Sequence, residues 1–304
     1  MAKLKVWETK EYYDQAHEAG GSSHPGLLLI KELGKKAASI LEVGCGEGSK
    51  LNLVVKGQAK GFGVDISQTA IRRAKKQYPQ LTFQVADAEQ LPFPEDRFDL
   101  VFSAFTLEHL SNPEKVLKEM IRVLKPSGKL ALLAPNYGAP NRASPCFEGS
   151  RVKKLAVGLL KDWVALFRSR SLNWRPVQPK AKPGRYEIDW DTTVEPYLGS
   201  LKHYLTNQGV KIVKVDSFWG KVETTVPSRQ KPFSWLGKLG VYPFKYWGPH
   251  LLLVGEKSNW PKPDFKKKIL GMILVGIAFL LPLTIPLLIG GALVYLVKKR
   301  REVG

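Results

Sequence analysis

Between residues 38 and 136 short apolar runs alternate with longer stretches of mixed polarity. The runs lie in "ASILEVGCGEGSKL", "AKGFGVDIS", "LTFQVADAEQLPF", "RFDLVFSAFTLEHL" and "KPSGKLALLAPN", with a helical pattern from Pro113 to Leu124 before the last. Runs this short, bounded by Gly, Pro and Asp, suit strands buried on both faces. Their alternation with helices predicts a doubly wound α/β sheet that binds ligands at the carboxyl ends of its strands. Two later patterns differ. Val152, Leu155, Ala156, Leu159, Leu160, Trp163 and Phe167 recur at helical spacing, with Arg151, Lys154, Lys161 and Arg168 assigned to the other side. The stretch from Ile269 to Val297 carries no charge at all.

The first run, Ile40 to Val43, breaks into Gly44, Gly46 and Gly48. Glycines there let the backbone turn sharply and approach a ligand with no Cβ in the way. Alone, the pattern fits a dinucleotide site, a methyl-donor site or a tight turn. The second run ends in Asp65 about twenty residues later, where an acid can accept hydrogen bonds from ribose hydroxyls. The third ends in Asp87. Both acids also precede helical stretches and could serve as N-caps.

Taken in order, "LEVGCGEG", "GVDIS", "ADAEQLPF", "FDLVFSAFTLEHL" and "VLKPSGKLAL" resemble class I S-adenosylmethionine-dependent methyltransferases of the type 11 group, which includes quinone-biosynthesis enzymes. The resemblance covers residues 38–136. It implies a Rossmann-like seven-stranded sheet, completed by a helix in "EPYLGSLKHYLTNQG", a sixth strand in "VKIVKVDSFWG" and an antiparallel seventh in "HLLLVGEK". It implies S-adenosyl-L-methionine as cofactor. Glu42, Gly44, Cys45 and Gly46 would line its methionine part, and Asp65 would take the ribose hydroxyls. Ile66 would lie on the adenine, Asp87 and Ala88 would bond its edge, and Ser103 and Ala104 would sit near the sulfonium. The helical segment Glu8 to Glu18, with Tyr12, Tyr13 and His17, resembles the family's cover over the donor; it could equally shield the sheet edge.

"TLEHL" places His109 beside the expected sulfonium, where it could take a proton from an acceptor hydroxyl. It could instead brace a loop. In the quinone-biosynthesis O-methyltransferases a similar "LEH" helps to hold a metal, but their upstream acid corresponds to Phe105 here. No metal is therefore expected. Cys45 and Cys146 match no metal spacing and form no disulfide framework.

Charge then separates the two halves of the chain. Residues 1–135 hold 19 basic and 16 acidic side chains, whereas residues 136–268 hold 24 and 10. A basic surface suits nucleic acid or anionic lipid, and the apolar tail beside it favours lipid. The helix from Arg151 reads as a membrane-interface helix or as a lid on the domain's own core. Trp235, Tyr242, Phe244, Tyr246 and Trp247 among cations suit headgroup depth; stacking on single-stranded nucleic acid is the less favoured reading.

As one helix the tail would be about 43 Å long against a hydrocarbon core near 30 Å. Pro282 and Pro286 suit either a kinked span or a re-entrant hairpin, and Lys266–Lys268 and Lys298–Arg301 flank it with cations. The N-terminus has no apolar signal-peptide core. The expected organisation is a donor-binding core over 1–136, a basic insertion over 137–193, completion of the sheet over 194–257 with a loop at 221–249, and an anchor over 258–304. The expected function is methyl transfer to a lipid-linked or membrane-partitioned small molecule, by a membrane-associated enzyme whose catalytic domain faces the cytoplasm. The alternatives are a tethered enzyme with a soluble acceptor, and a non-catalytic scaffold.

Overall fold

Each apolar run of the first half becomes a strand: β1 Ser39–Val43, β2 Lys60–Asp65, β3 Thr82–Val85, β4 Phe98–Ala104 and β5 Leu124–Pro135. The computed structural model describes residues 12, 23–168, 172–181, 187–219 and 228–258. A two-residue ladder pairs β6 (Arg175–Pro176) with β7 (Val194–Glu195) inside the insertion. β8 (Val210–Asp216) and β9 (His250–Lys257) then complete the main sheet. Its order is β3-β2-β1-β4-β5-β9-β8, with five parallel strands and β9 antiparallel to both β5 and β8. The expected seven-stranded sheet is present.

Helices α1 (Pro25–Gly34), α2 (Ser49–Val54), α3 (Gln68–Gln77) and α4 (Pro113–Val123) connect or cover these strands. Their starts are chemically marked. Ser67 Oγ accepts from the Ala70 amide at 3.2 Å to open α3, and Asn112 with Pro113 opens α4. Strand alternation divides the core into two layers. Leu130, Leu132 and Ala134 join Val116, Leu117 and Met120 on one side, while Ala131 and Leu133 join Leu27, Ile30, Leu51 and Ile71 on the other. Beyond α5 (Arg151–Arg168), α6 (Leu198–Asn207) ends against Gly209, whose φ of 85° only glycine adopts without strain. The last α-helix among the described residues, α7, spans Lys231–Lys238.

The helix from Arg151 forms, but with different faces from those its spacing suggested. Lys154 points inward, where its Nζ meets Glu195 Oε2 at 2.6 Å and the Tyr137 carbonyl at 2.7 Å. Glu195 is fully buried and also accepts the Ser144 amide and hydroxyl. Asp162 is buried too, accepting from the Tyr197 hydroxyl and Trp247 Nε1. Leu155 and Leu159 pack on the core, whereas Val152, Leu160, Trp163 and Val164 face solvent. The polar contacts therefore orient the helix, and its apolar residues are divided between two sides. The aromatic loop needs a similar correction. Tyr246 and Trp247 are buried and Phe244 packs against the core, which leaves Trp235 as the exposed aromatic of that group.

Among the described residues no helix is long and apolar enough to cross a membrane. The tail Ile269–Val297 lies outside the described residues, as does the predicted N-terminal helix apart from Tyr12.

The buried Lys154–Glu195 pair yields a prediction. Removing one partner strands the other charge without water. Glu195→Ala should therefore lower unfolding free energy by about 3–5 kcal/mol in urea titrations.

Candidate functional site

The carboxyl ends of four neighbouring strands hold the residues singled out in the sequence. After β1 the chain turns through Gly44, Gly46 and Gly48 with φ of 75°, 50° and 82°. A side chain at Gly44 would collide with Thr106, whose hydroxyl donates to the Gly44 carbonyl at 3.1 Å and latches the turn to the end of β4. At Gly46 the situation is reversed. A Cβ there would meet nothing within 4 Å, so the backbone borders open space.

Asp65 stabilises that turn. Its Oδ2 accepts the Gly46 amide at 2.8 Å and its Oδ1 the Ser67 amide at 2.9 Å. The helix cap itself is Ser67, so Asp65 bridges two loops rather than capping α3. Burial raises its pKa, and the two amides oppose that shift. Ile66 beside it is exposed, as an apolar platform for a flat ligand requires. Asp87 is exposed and accepts the Glu89 amide at 2.8 Å, with Ala88 half-buried next to it. The Asp87 carboxylate thus does cap a local turn while keeping acceptor capacity. Cys45 is different: its thiol is buried among Phe83 and the core, so only its backbone faces the turn.

Among the described residues two polar side chains near this edge lack hydrogen-bond partners. Both carboxylate oxygens of Glu42 are fully buried without a hydrogen bond, as is Ser103 Oγ. Burial pushes the Glu42 pKa up to about 8, against the opposing Lys50 charge and Leu51 amide, with Asp65 adding to the rise. Unpartnered buried carboxylates are costly. Ala104 is buried beside Ser103 at the end of β4.

Past β4, Phe105 takes a left-handed φ of 58° and delivers a 3-10 turn over Leu107–His109. Here the insertion supplies partners that no spacing revealed. His109 Nδ1 lies 3.4 Å from Asp191 Oδ2, and its Nε2 lies 3.7 Å from Glu108 Oε1. Asp189 is held by the Tyr137 hydroxyl, and Tyr12 donates to Asp191 at 3.1 Å. One ligand atom each from Glu108, His109 and Asp189 lies within 4.8 Å of the others, close enough to share a cation. Burial raises the Glu108 pKa to about 7, with Asp189 adding to it and His109 opposing. For His109, burial favours the neutral ring, but Asp191, Glu108 and Asp189 outweigh it and raise its pKa.

A histidine pair was also missed. His24 Nδ1 accepts the Gly26 amide at 3.0 Å, so its Nε2 carries the proton offered to His250 Nδ1 at 3.3 Å. Their rings pack edge to face with Phe105. Burial lowers both pKa values, that of His250 to about 4, so the pair is neutral at physiological pH. His24 and His250 are 226 positions apart, and no local pattern marks them.

Residues 41–132 match the protein family Methyltransf_11, described as a methyltransferase domain. A Rickettsia bellii ubiquinone/menaquinone biosynthesis C-methyltransferase, UbiE, is 33% identical over 179 residues, covering 55% of this chain and 64% of that protein. A Mycobacterium tuberculosis protein named as an S-adenosylmethionine-dependent methyltransferase is 32% identical over 111 residues, covering 36% and 40%. The chain thus spans less than two thirds of these curated relatives. A chain in the solved Haloferax volcanii complex of the Trm112 methyltransferase activator with a methyltransferase superposes at TM-score 0.50 and 17% identity, covering 83% of this chain and 98% of that one. That similarity shows the fold. Residues 41–132 are thus similar to a methyltransferase domain, and the open Gly46 backbone together with the unpartnered Glu42 carboxylate offers space and a counter-charge to S-adenosylmethionine, the cofactor in the name of the Mycobacterium tuberculosis relative.

Glu42 makes this fit measurable in the ligand-free protein. Its folded pKa lies above its ordinary value of 4.5, so the folded state holds the proton more tightly. That contribution is fully present below pH 4.5 and is lost as pH rises to about 8. Relative to Glu42→Gln, the wild type should lose stability across this window, on the order of 1.4 kcal/mol per pH unit at most. Urea midpoints at several pH values test it.

Proposed function

We propose that the protein is an S-adenosylmethionine-dependent methyltransferase acting on a membrane-partitioned small-molecule acceptor. The observation that carries the donor half is the buried, unpartnered Glu42 carboxylate below the open backbone of Gly46. A ligand with a cationic amino group would supply the missing partner. When bound, the cofactor supplies an electrophilic methyl group on a sulfonium.

The residues have separable tasks in this reading. Glu42, Gly44 and Gly46 hold the amino-acid part of the donor. Asp65, already oriented by two amides, presents its remaining lone pairs to the ribose. Ile66, Asp87 and Ala88 receive the adenine, while Ser103 and Ala104 border the reacting end. Cys45 contributes backbone alone. His109, with Glu108, Asp189 and Asp191 around it, accepts the proton that an acceptor loses, and Glu108 stabilises the resulting imidazolium. Alignment of the acceptor would supply much of the remaining rate.

The membrane part rests on the uncharged stretch Ile269–Val297 with its cationic flanks. Positive flanks favour a cytoplasm-facing protein. The UbiE relative is named for the biosynthesis of ubiquinone and menaquinone, which are membrane lipids, and this supports an apolar acceptor. Anchoring raises the effective concentration of an acceptor confined to the bilayer.

Donor binding should release a proton, because Glu42 must ionise to meet an ammonium group. Affinity should then strengthen toward pH 8, on the order of tenfold per unit at most, and Glu42→Gln should abolish this dependence. Calorimetry in buffers of different ionisation enthalpy measures the proton directly. Gly46→Ala should weaken donor binding at least tenfold, on the order of 1.4 kcal/mol, with a comparable loss of stability from its left-handed φ. Purified enzyme given labelled donor and membrane extract should label a lipid-phase product. Label found only on water-soluble species would refute the proposed acceptor class.

A further inference from the structure

The outer side of α5 places large apolar groups in solvent. Val152 is 78% exposed, Leu160 65% and Trp163 52%, with Val164 beside them. The row continues through Trp235, 63% exposed, Leu239 and Val241, on and just after α7. The rows adjoin: the Trp163 and Tyr242 rings meet edge to face at 6.1 Å, and the Tyr242 hydroxyl donates to the Asp162 carbonyl. A single exposed leucine is ordinary, whereas an apolar group of this extent marks an interaction surface.

Charge identifies the partner. Arg151, Lys153 and Lys161 border the row on α5, and Lys231 and Lys238 on α7. The sole acid within α5, Asp162, is buried against Tyr197 and Trp247, and α7 has none. Glu148, just before α5, pairs with Lys180 at 3.5 Å. Lys153 and Lys161, together with Arg175 and His203, line a cavity of about 450 Å³ beside the same helix. Apolar side chains including two tryptophans, bordered by five cations against the one exposed acid Glu148, which is paired with Lys180, match a bilayer with anionic headgroups.

We propose that the α5–α7 face is a docking surface through which the catalytic domain lies on an anionic bilayer. The apolar row enters the acyl boundary, while Lys153 and Lys161 contact headgroup phosphates that can enter the cavity. This docking deepens the membrane part of the function proposed above and is independent of the methyl-transfer chemistry. A docked domain would be held in one orientation, which a tail alone does not impose.

The test uses the full chain with an environment-sensitive fluorophore on Leu160→Cys. Cys45 and Cys146 are buried and will not compete for label. A Lys75→Cys label reports from α3, whose Ile71 and Ala74 pack on the core layer opposite the one beneath α5. Adding phosphatidylglycerol-containing vesicles should brighten and blue-shift the Leu160 label and leave the Lys75 label unchanged. Lys153→Gln with Lys161→Gln should reduce the docked-to-undocked ratio by about fivefold per lysine. If the protein floats with vesicles while the Leu160 label stays in water, docking is wrong and anchoring stands. If it does not float, the membrane reading fails and docking with it. An equal response to purely zwitterionic vesicles, or a blue shift without vesicles that grows with protein concentration, also overturns the proposal, the latter in favour of self-association.

Discussion

The buried pair between Lys154 and Glu195 decides the direction in which the second half of the chain faces. Glu195 takes the Ser144 amide and hydroxyl on one oxygen and Lys154 on the other, while Lys154 also meets the Tyr137 carbonyl. Tyr137 in turn holds Asp189, and Asp189 lies beside Glu108 and His109. One ion pair thereby links the orientation of α5 to the acid–histidine cluster at the end of β4. With Lys154 and Asp162 turned inward, Leu160 and Trp163 are left largely to solvent. The exposed apolar row and the site cluster follow from the same geometry.

Four of the buried carboxylates fall into two groups. Glu195 and Asp162 are satisfied by lysine, tyrosine and tryptophan donors and serve the architecture. Among the described residues neither oxygen of Glu42 meets the geometry of a hydrogen bond, and Glu108 retains one unpartnered oxygen. A desolvated carboxylate without donors opposes folding, so its retention fits a site completed by a ligand. Both members of this group lie at the carboxyl ends of strands, the edge where an α/β sheet presents its binding crevice.

The convergence of the candidate site residues on one sheet edge was legible because its signals are local. Gly44 and Gly46 with positive φ, Asp65 at the end of β2 and Ser103 at the end of β4 all read from short stretches of pattern. So were the seven strands and the stop at Gly209. What failed was periodicity applied to a helix with three environments. Positions 152, 155, 159, 160 and 163 repeat as one apolar set, yet the buried ion pair turns them to different sides. The aromatic loop failed similarly, since Trp247 goes inward to bond Asp162.

From residue order alone follow the strand-and-turn rhythm, the glycine turn and the acids that end its neighbouring strands, because backbone sterics and alternating polarity act over a few residues. Partnerships across the chain belong to the tertiary structure. His109 with Asp191, His24 with His250 and Lys154 with Glu195 depend on which surfaces come together once two core layers close on the sheet. Desolvation then sets what each charge can do: a carboxylate is shifted by burial and by the donors it finds there, and neither is encoded near it in sequence.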